Sequence, residues 1–182
     1  MSCSSLVFRR PIPDDHTRVV AVLRSWWDGR DPRAQLPRVF FTHFRTTSLL
    51  VEHEDRLVGF LVGFFCQDHP GEAVVHLVGV APEWRRVGLA RDLYRRFFAL
   101  ARAAGREVVC CVVAPVDGDS IAFHAALGFS VAGGGEEVDG VPAPTERGPG
   151  GESHLLFGLR LDADEAVSRS PRVYSRLREA GA

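Results

Sequence analysis

Residues 80–90, VAPEWRRVGLA, join an apolar segment to an amphipathic one across a short loop that contains proline and glycine. The segment before the loop, about Ala73 to Val80, predicts a strand, and the three-and-four spacing of apolar residues after the loop predicts a helix. Such a connection leaves backbone N–H groups unpaired at the start of the helix. Together with the positive end of the helix dipole, these groups favour the binding of an anion such as a phosphate group.

The composition limits the classes of protein to which the chain can belong. Its 182 residues are 46% hydrophobic and 25% charged, which is ordinary for a globular domain. The net charge of −1 gives no reason to expect nucleic-acid binding, which usually needs a basic face. The four cysteines lack the paired spacing of zinc or redox sites, so no metal is expected. No segment resembles a signal peptide or is long enough to span a membrane, so we expect a cytoplasmic protein without membrane association.

The order of apolar segments predicts a mixed α/β fold. Seven segments are typical of strands, at about 5–10, 48–54, 56–67, 73–80, 107–114, 129–131 and 154–161. Four segments are typical of helices, at about 14–26, 34–44, 90–104 and 119–127. We expect one domain over residues 1–161, with a Gly- and Pro-rich loop at 133–151. Residues 162–182 predict a polar tail that is disordered or contains one short helix.

Two motifs resemble those of the GNAT superfamily of N-acetyltransferases. Residues 80–90 resemble its acetyl-CoA signature, V-x-P-x-[YW]-[QR]-[RG]-x-G-[IL]-[GA], and lack the glycine patterns of dinucleotide and P-loop sites. Residues 117–129, DGDSIAFHAALGF, resemble the second motif, N-x-x-[AS]-x-x-F-Y-x-x-x-G-F, in the same order along the chain. The resemblance implies a single-domain GNAT fold. In that fold a mixed, mostly antiparallel sheet of six to seven strands is flanked by about four helices and splayed between strands 4 and 5.

The resemblance also implies acetyl-CoA as the co-substrate. Three residues at the end of the fourth strand would pair with the pantetheine arm like an added strand: Val78, Gly79 and Val80. Backbone N–H groups of the loop would hold the pyrophosphate, those of Arg85, Arg86, Val87, Gly88, Leu89 and Ala90, and Arg91 would add positive charge. Asp117, which stands where the family usually has asparagine, and Ser120 complete the predicted cofactor contacts. A purely structural alternative is that Gly88 permits close packing of the helix on the strand.

Transfer of an acetyl group to an amine requires a base for the ammonium group, a donor for the oxyanion and an acid for the thiolate. His124 stands where the family commonly has the tyrosine that protonates the thiolate, and an imidazole can do the same, but this side chain could equally be packed in the core. His76, expected to share a face with Val74 and Val78, is the first candidate for the base. Glu72 and direct loss of the proton to water are alternatives.

Two further expectations concern the reaction centre. The backbone N–H of Val80 is the predicted oxyanion donor. Cys110 and Cys111 lie in an apolar run, which would raise the pKa of their thiols, so we do not expect an acyl-cysteine intermediate.

The predicted activity is transfer of an acetyl group from acetyl-CoA to a primary amine in a ternary complex, with a small molecule as the first choice of acceptor. A peptide acceptor, through its N-terminus or a lysine, and a non-catalytic acyl-CoA-binding module are the alternatives. The acceptor is expected near the first two helices and the 133–151 loop. Trp26 and Trp27 could stack on it there, and Asp28 or Glu136-Glu137 could attract its charge. Exposed strand edges leave a homodimer open.

Overall fold

The computed structural model describes residues 5–114, 117–131 and 153–161, and also the backbone of three short strands between 137 and 147. The predicted tail 162–182, Glu136 and most of the 133–151 loop lie outside the described residues. The expectations for these segments therefore stay predictions.

Seven strands form the main sheet, in the order β1–β2–β3–β4–β5–β10–β6. Their bounds are β1 Val7–Arg9, β2 Leu49–His53, β3 Arg56–Phe65, β4 Glu72–Val80, β5 Val108–Val113, β6 Ser130–Val131 and β10 Ser153–Arg160. Strands β7 (Glu137–Val138) and β8 (Val141–Pro142) pair with each other, and β9 (Glu146–Arg147) pairs with β10. Every pair in the main sheet is antiparallel except β4 and β5. The mostly antiparallel mixed sheet predicted from the sequence is confirmed.

Within the described part of the chain, four α-helices accompany the sheet: α1 Asp15–Trp26, α2 Val39–His43, α3 Leu89–Ala103 and α4 Gly118–Ala126. The helix predicted over 34–44 is wrong in its first half, where Pro32–Gln35 forms a 3-10 turn instead. Pro37 provides the reason, because the residue before a proline is disfavoured in the helical region. Leu36 accordingly has φ −124° and ψ 61°, and α2 begins only after the proline.

The sheet separates two hydrophobic cores. The core on the α3 side contains Leu93, Tyr94 and Phe97, which are fully buried residues of the predicted apolar face of α3. The core on the other side contains Val19, Leu23 and Trp26 of α1. The predicted apolar spacing of α3 is thus confirmed as a buried face, and α1 buries its own apolar residues on the opposite face of the sheet. No helix within the described residues is long and apolar enough to cross a membrane.

Strand β4 carries a β-bulge at His76. Leu77 pairs with Val62 of β3, but the next pair along the strands is Val75 with Gly63, so His76 has no partner in the ladder. One extra residue reverses the alternation of side chains along the strand. Val75 and Val78 therefore both lie in or against the α3-side core. The expectation that His76 shares a face with Val78 is wrong for this reason, because the bulge turns His76 and Leu77 toward the α1 and α2 side.

Candidate cofactor and active site

Strands β4 and β5 separate halfway along their length. Their parallel pairing runs from Glu72 opposite Val108 to Val75 opposite Cys111 and ends there. Residues 77–80 of β4 remain paired with β3 on one side only, while β5 continues along β10. The second half of β4 therefore has an edge without a strand partner, and this edge faces a gap in the sheet.

The register of β3 and β4 determines which backbone groups face this gap. Paired residues of an antiparallel ladder alternate between those that exchange hydrogen bonds and those that do not. The Ala81 N–H donates to the Val58 carbonyl at 3.0 Å, so Val80 and Val78 fall at the positions that do not bond to β3. Their N–H and C=O groups point into the gap. The N–H and C=O groups of Gly79 point instead toward the backbone of its β3 partner, Phe60. A Cβ on Gly79 would lie 2.5 Å from the Phe60 ring and 2.7 Å from Trp27.

A cluster of unpaired N–H groups continues the line of this edge at the start of α3. Gly88 precedes the helix with φ +93°, and Arg86 also has a left-handed φ of +66°. The first helical bond is from the Asp92 N–H to the Gly88 carbonyl at 3.1 Å. The N–H groups from Arg86 to Arg91 donate to no carbonyl of the described chain, so they form a site suited to a phosphate group. The Arg85 N–H, which was predicted to belong to this set, donates instead to the Pro82 carbonyl at 3.2 Å.

The structure corrects the alternative reason for Gly88. A Cβ at this position would meet no protein atom within 4 Å, so the glycine is not needed for packing of helix on strand. Its backbone conformation explains it instead, since a side chain at φ +93° is strained.

Arg85 connects the cofactor loop to α1. Its guanidinium donates from Nη2 to the Trp26 carbonyl at the end of α1 and from Nε to the Val80 carbonyl at 3.3 Å. Arg86 and Arg91, in contrast, are exposed and have no ion-pair partner among the described residues. Arg85 therefore has a positioning contact that sequence reasoning missed, while Arg86 and Arg91 keep their charges free for a ligand.

The first turn of α4 lies on the other side of the gap, beyond the end of β5. Asp117 is the N-cap of this helix, and its Oδ1 accepts a hydrogen bond from the Ser120 N–H at 3.1 Å. Its Oδ2 lies 3.7 Å from Nη2 of Arg30, which belongs to the loop after α1. An ion pair thus links the loop after α1 to the segment that follows β5. The Asp117 carboxylate acts here as an acceptor only.

His124 is buried in the core beneath this turn and is 3% exposed. Its Nε2 lies 2.7 Å from the Tyr94 hydroxyl, and its Nδ1 lies 2.7 Å from the Ser120 carbonyl. Burial lowers the pKa of His124, although the Ser120 carbonyl and the Asp117 charge partly oppose this. The acid role of His124 stays a prediction, and the ring reaches α3 rather than the gap.

Tyr94 connects His124 to a second buried group, the Cys111 thiol. Burial raises the pKa of the Tyr94 hydroxyl well above its usual value, and burial likewise raises the pKa of the Cys111 thiol. The predicted effect of apolar neighbours on the Cys111 thiol is confirmed. Both groups stay protonated at neutral pH, and a buried protonated thiol is a poor nucleophile.

His76 occupies the bulge on the opposite face of the sheet. Its Nε2 lies 2.5 Å from the Gln35 carbonyl, and its ring stacks on Phe40 with centroids 4.4 Å apart. A carbonyl can only accept, so Nε2 carries the proton and Nδ1 of the neutral ring keeps a lone pair. Glu72 lies in the paired part of β4, before the gap begins, and burial raises the pKa of its carboxyl.

The sequence profile described as the acetyltransferase (GNAT) family matches residues 16–129. The match spans more than half of the chain and includes α1, the gap, the loop and α4. The chain belongs to the GNAT acetyltransferase family.

Several GNAT proteins resemble the chain individually. It is 28% identical over 93 residues to L-2,4-diaminobutyric acid acetyltransferase of Vibrio cholerae, a match over 51% of this chain and 54% of that protein. The chain therefore spans about half the length of this curated relative.

Two solved structures share the fold. Diaminobutyrate acetyltransferase EctA from Paenibacillus lautus, in complex with L-2,4-diaminobutyric acid and coenzyme A, matches with TM-score 0.67 and 23% identity over 90% of this chain and 99% of that one. The yncA protein of Salmonella typhimurium, a putative acetyltransferase with its cofactor acetyl-CoA, matches with TM-score 0.62 and 18% identity over 91% and 99%.

The acceptor side of this GNAT chain differs from expectation at one tryptophan. Trp26 is 6% exposed and stacks on Phe60 in the core, so its ring is not free to contact an acceptor. Trp27 is only partly buried and lies over Gly79 beside the gap. A separate cleft of about 520 Å³ lies behind the cofactor loop, between α1, the β2–β3 turn and residues 81–84. In the described ranges, no group of three or more His, Cys, Asp or Glu side chains is placed to hold a metal ion.

Proposed function

We propose that the protein transfers an acetyl group from acetyl-CoA to a primary amine of a small molecule. The observation that carries this proposal is the continuity of two features. The unpaired edge of β4, with Val78 and Val80 facing the gap, leads directly to the unpaired N–H groups of residues 86–91. A long ligand with an amide-containing arm and a pyrophosphate fits both at once, since amides pair with a strand edge and phosphates bind helix N-termini.

In this proposal the pantetheine arm lies along β4 and carries the thioester toward the bulge. The strand rises by about 3.3 Å per residue, so His76 lies roughly 13 Å along β4 from Val80. The N–H groups of Val78 and Val80 both face the gap. Val78 is two residues nearer to His76 than Val80, so we propose it, in addition to the predicted Val80, as a donor to the oxyanion.

His76 serves as the base in this proposal. The free lone pair is on Nδ1, because Nε2 donates its hydrogen to the Gln35 carbonyl. The neutral imidazole takes a proton from the ammonium group of the acceptor, and the resulting amine attacks the thioester carbonyl carbon. The C–N bond forms first and gives a tetrahedral oxyanion. The C–S bond then breaks, and the second proton of the attacking nitrogen passes to the departing CoA thiolate.

A small diamine with a carboxylate is the first acceptor to test, because two of the relatives carry L-2,4-diaminobutyric acid in their names. The loop after α1 offers both charges that such an amino acid needs, with Asp28 for an ammonium group and Arg30 for a carboxylate. Arg30 would exchange its Asp117 partner for the carboxylate of the substrate.

The test follows release of the CoA thiol from acetyl-CoA in the presence of L-2,4-diaminobutyrate, other small primary amines, and peptides with free N-termini or lysines. Turnover of a small amine supports the proposal. Turnover of peptides alone favours a protein acetyltransferase, and binding of acetyl-CoA without turnover of any acceptor favours a binding module. Absence of acetyl-CoA binding overturns the proposal altogether.

A further inference from the structure

The buried contact between Tyr94 and His124 has a defined hydrogen-bond direction. The Ser120 carbonyl can only accept, so the His124 Nδ1, at 2.7 Å, must carry a proton. Burial disfavours the charged imidazolium, so the ring is neutral and its Nε2 holds a lone pair. The Tyr94 hydroxyl, 2.7 Å from Nε2, must therefore donate to it.

This direction leaves the pair with no proton that it can release at low cost. Loss of the Nδ1 proton alone would turn neutral His124 into a buried imidazolate anion. The ring stays neutral only if Nε2 takes the proton of Tyr94 at the same time. That transfer places the negative charge on Tyr94, which is fully buried. The rings of Phe123, Phe129 and Phe157 surround the imidazole, with centroids between 5.4 and 5.7 Å from its own.

Both helices joined by this contact carry part of the proposed cofactor site. Helix α3 begins at the cluster of N–H groups that would hold the pyrophosphate. The first turn of α4 carries Asp117 and Ser120, and Ser120 is the same residue whose carbonyl receives the His124 proton. The hydrogen bond between Tyr94 and His124 therefore fixes the distance and rotation of these two segments relative to each other.

We infer that Tyr94 and His124 are positioning residues that hold α4 against α3 for cofactor binding, and that neither gives a proton to the CoA thiolate. This inference rests on the proposed function. The groups around the pair agree with a neutral cluster. Tyr94 from α3 and Phe157 from β10 face His124, Cys111 from β5 faces the Tyr94 hydroxyl, and Asp117 at the start of α4 is the nearby charge.

The experiment compares Tyr94→Phe, His124→Phe and the double variant in the full chain. We expect each single variant to weaken acetyl-CoA binding by about tenfold in calorimetry, because each removes the hydrogen bond that holds α4 against α3. The double variant should bind no more weakly than the singles, since all three lack the same contact. The limbs of the kcat profile against pH should not move. Phe98→Leu is the control, because it alters a ring that touches Tyr94 without removing a hydrogen bond, and it should lower Tm but leave acetyl-CoA affinity unchanged.

Two results would overturn the inference. One is loss of a limb of the pH profile, with at least a hundredfold lower kcat, in His124→Phe but not in Tyr94→Phe, which would identify His124 as the acid. The other is unchanged acetyl-CoA affinity in both single variants.

Nitrogen-15 NMR of the His124 ring separates this inference from the proposed function, because it requires no activity and no ligand. We expect the proton on Nδ1 around neutral pH. In Tyr94→Phe, the nitrogen-15 chemical shift of Nε2 should change to that of a ring nitrogen without a hydrogen bond. A ring protonated on Nε2 contradicts the inference. If the parent protein binds no acetyl-CoA, the proposed function fails, and the NMR result alone decides whether the pair is built as inferred.

Discussion

Val75 of β4 and Cys111 of β5 form the last pair of the parallel ladder, and the gap in the sheet begins immediately after them. The bulge at His76 follows Val75 directly, so the base candidate and the opening of the gap are adjacent in the chain. The bulge in the β3–β4 ladder turns the His76 imidazole toward the α1 and α2 side, next to the point where the edge of β4 becomes free of β5. The proposed reaction depends on this adjacency.

Gly88 is expected to matter for the cofactor rather than for the fold alone. Gly88→Ala places a side chain at φ +93° and should distort the cluster of N–H groups, so that acetyl-CoA binds at least tenfold more weakly in calorimetry. Gly105→Ala is the matched control, since Gly105 has φ +71° at the other end of α3 and also has open space around it. Both variants should lose about 1–2 kcal/mol of stability, and equal loss of affinity in both would contradict the expectation.

His76 is expected to control the rate of acetyl transfer. His76→Gln removes the basic Nδ1, so kcat should fall by about 10²–10⁴ while acetyl-CoA affinity stays near that of the parent. His43→Gln is the control, because this exposed histidine of α2 lies outside the proposed site. A parental rate in His76→Gln would favour proton loss to water.

Gly79 is expected to define the space beside the gap. Gly79→Ala brings a Cβ to 2.5 Å from Phe60 and 2.7 Å from Trp27, so both rings must shift, and Phe60 is fully buried. Trp27 must move, so the KM for the amine should rise several-fold, and stability should fall by about 1–3 kcal/mol. Gly71→Ala, with no atom within 4 Å of the added Cβ, should change neither quantity in steady-state kinetics and denaturant unfolding.

Asp15 is expected to make stability depend on pH in the acid range. Its own burial raises its pKa, but hydrogen bonds from Arg9, the Ile12 N–H and Arg18 outweigh this and lower the pKa from 3.8 to about 2. The folded state thus binds the Asp15 proton less tightly than the unfolded state does. The stabilisation that the Asp15 carboxylate contributes is therefore complete above pH 3.8 and is lost as the pH falls toward about 2.

Asp15→Asn should therefore cost about 3 kcal/mol in denaturant unfolding at neutral pH, because it leaves Arg9 with an incomplete set of partners. The difference between the parent and the variant should shrink across that acid window. Asp14→Asn is the control, since the Asp14 side chain is 88% exposed, and its effect should stay within about 0.5 kcal/mol. A difference for Asp15→Asn that does not change with pH would contradict this expectation.

Local patterns in the sequence were sufficient to predict the strand, loop and helix that form the candidate site. The apolar run of β4 and the three-and-four spacing of α3 are strong signals, and the loop between them could be recognised from Pro82 and Gly88. The face on which His76 lies could not be predicted, because the bulge depends on how β4 pairs with β3. Only the extra residue at 76 reverses the alternation.

Contacts between elements were the other part that sequence reasoning missed. A tyrosine within the buried face of α3 signals the need for a hydrogen-bond partner, but that His124 is the partner follows only from packing of α4 on α3. The Arg85 contact with the Trp26 carbonyl likewise joins residues from distant segments. Such contacts depend on tertiary geometry, which no local pattern reports.

Titration of the protein with acetyl-CoA, followed through the backbone amide signals by nitrogen-15 NMR, tests the cofactor site most directly. The proposal predicts the largest shifts at the amides of Val78, Val80 and residues 86–91, with small shifts at β1 on the far edge of the sheet. Saturating acetyl-CoA that leaves those amides unchanged, or that shifts mainly the residues lining the cleft behind the loop, would contradict it.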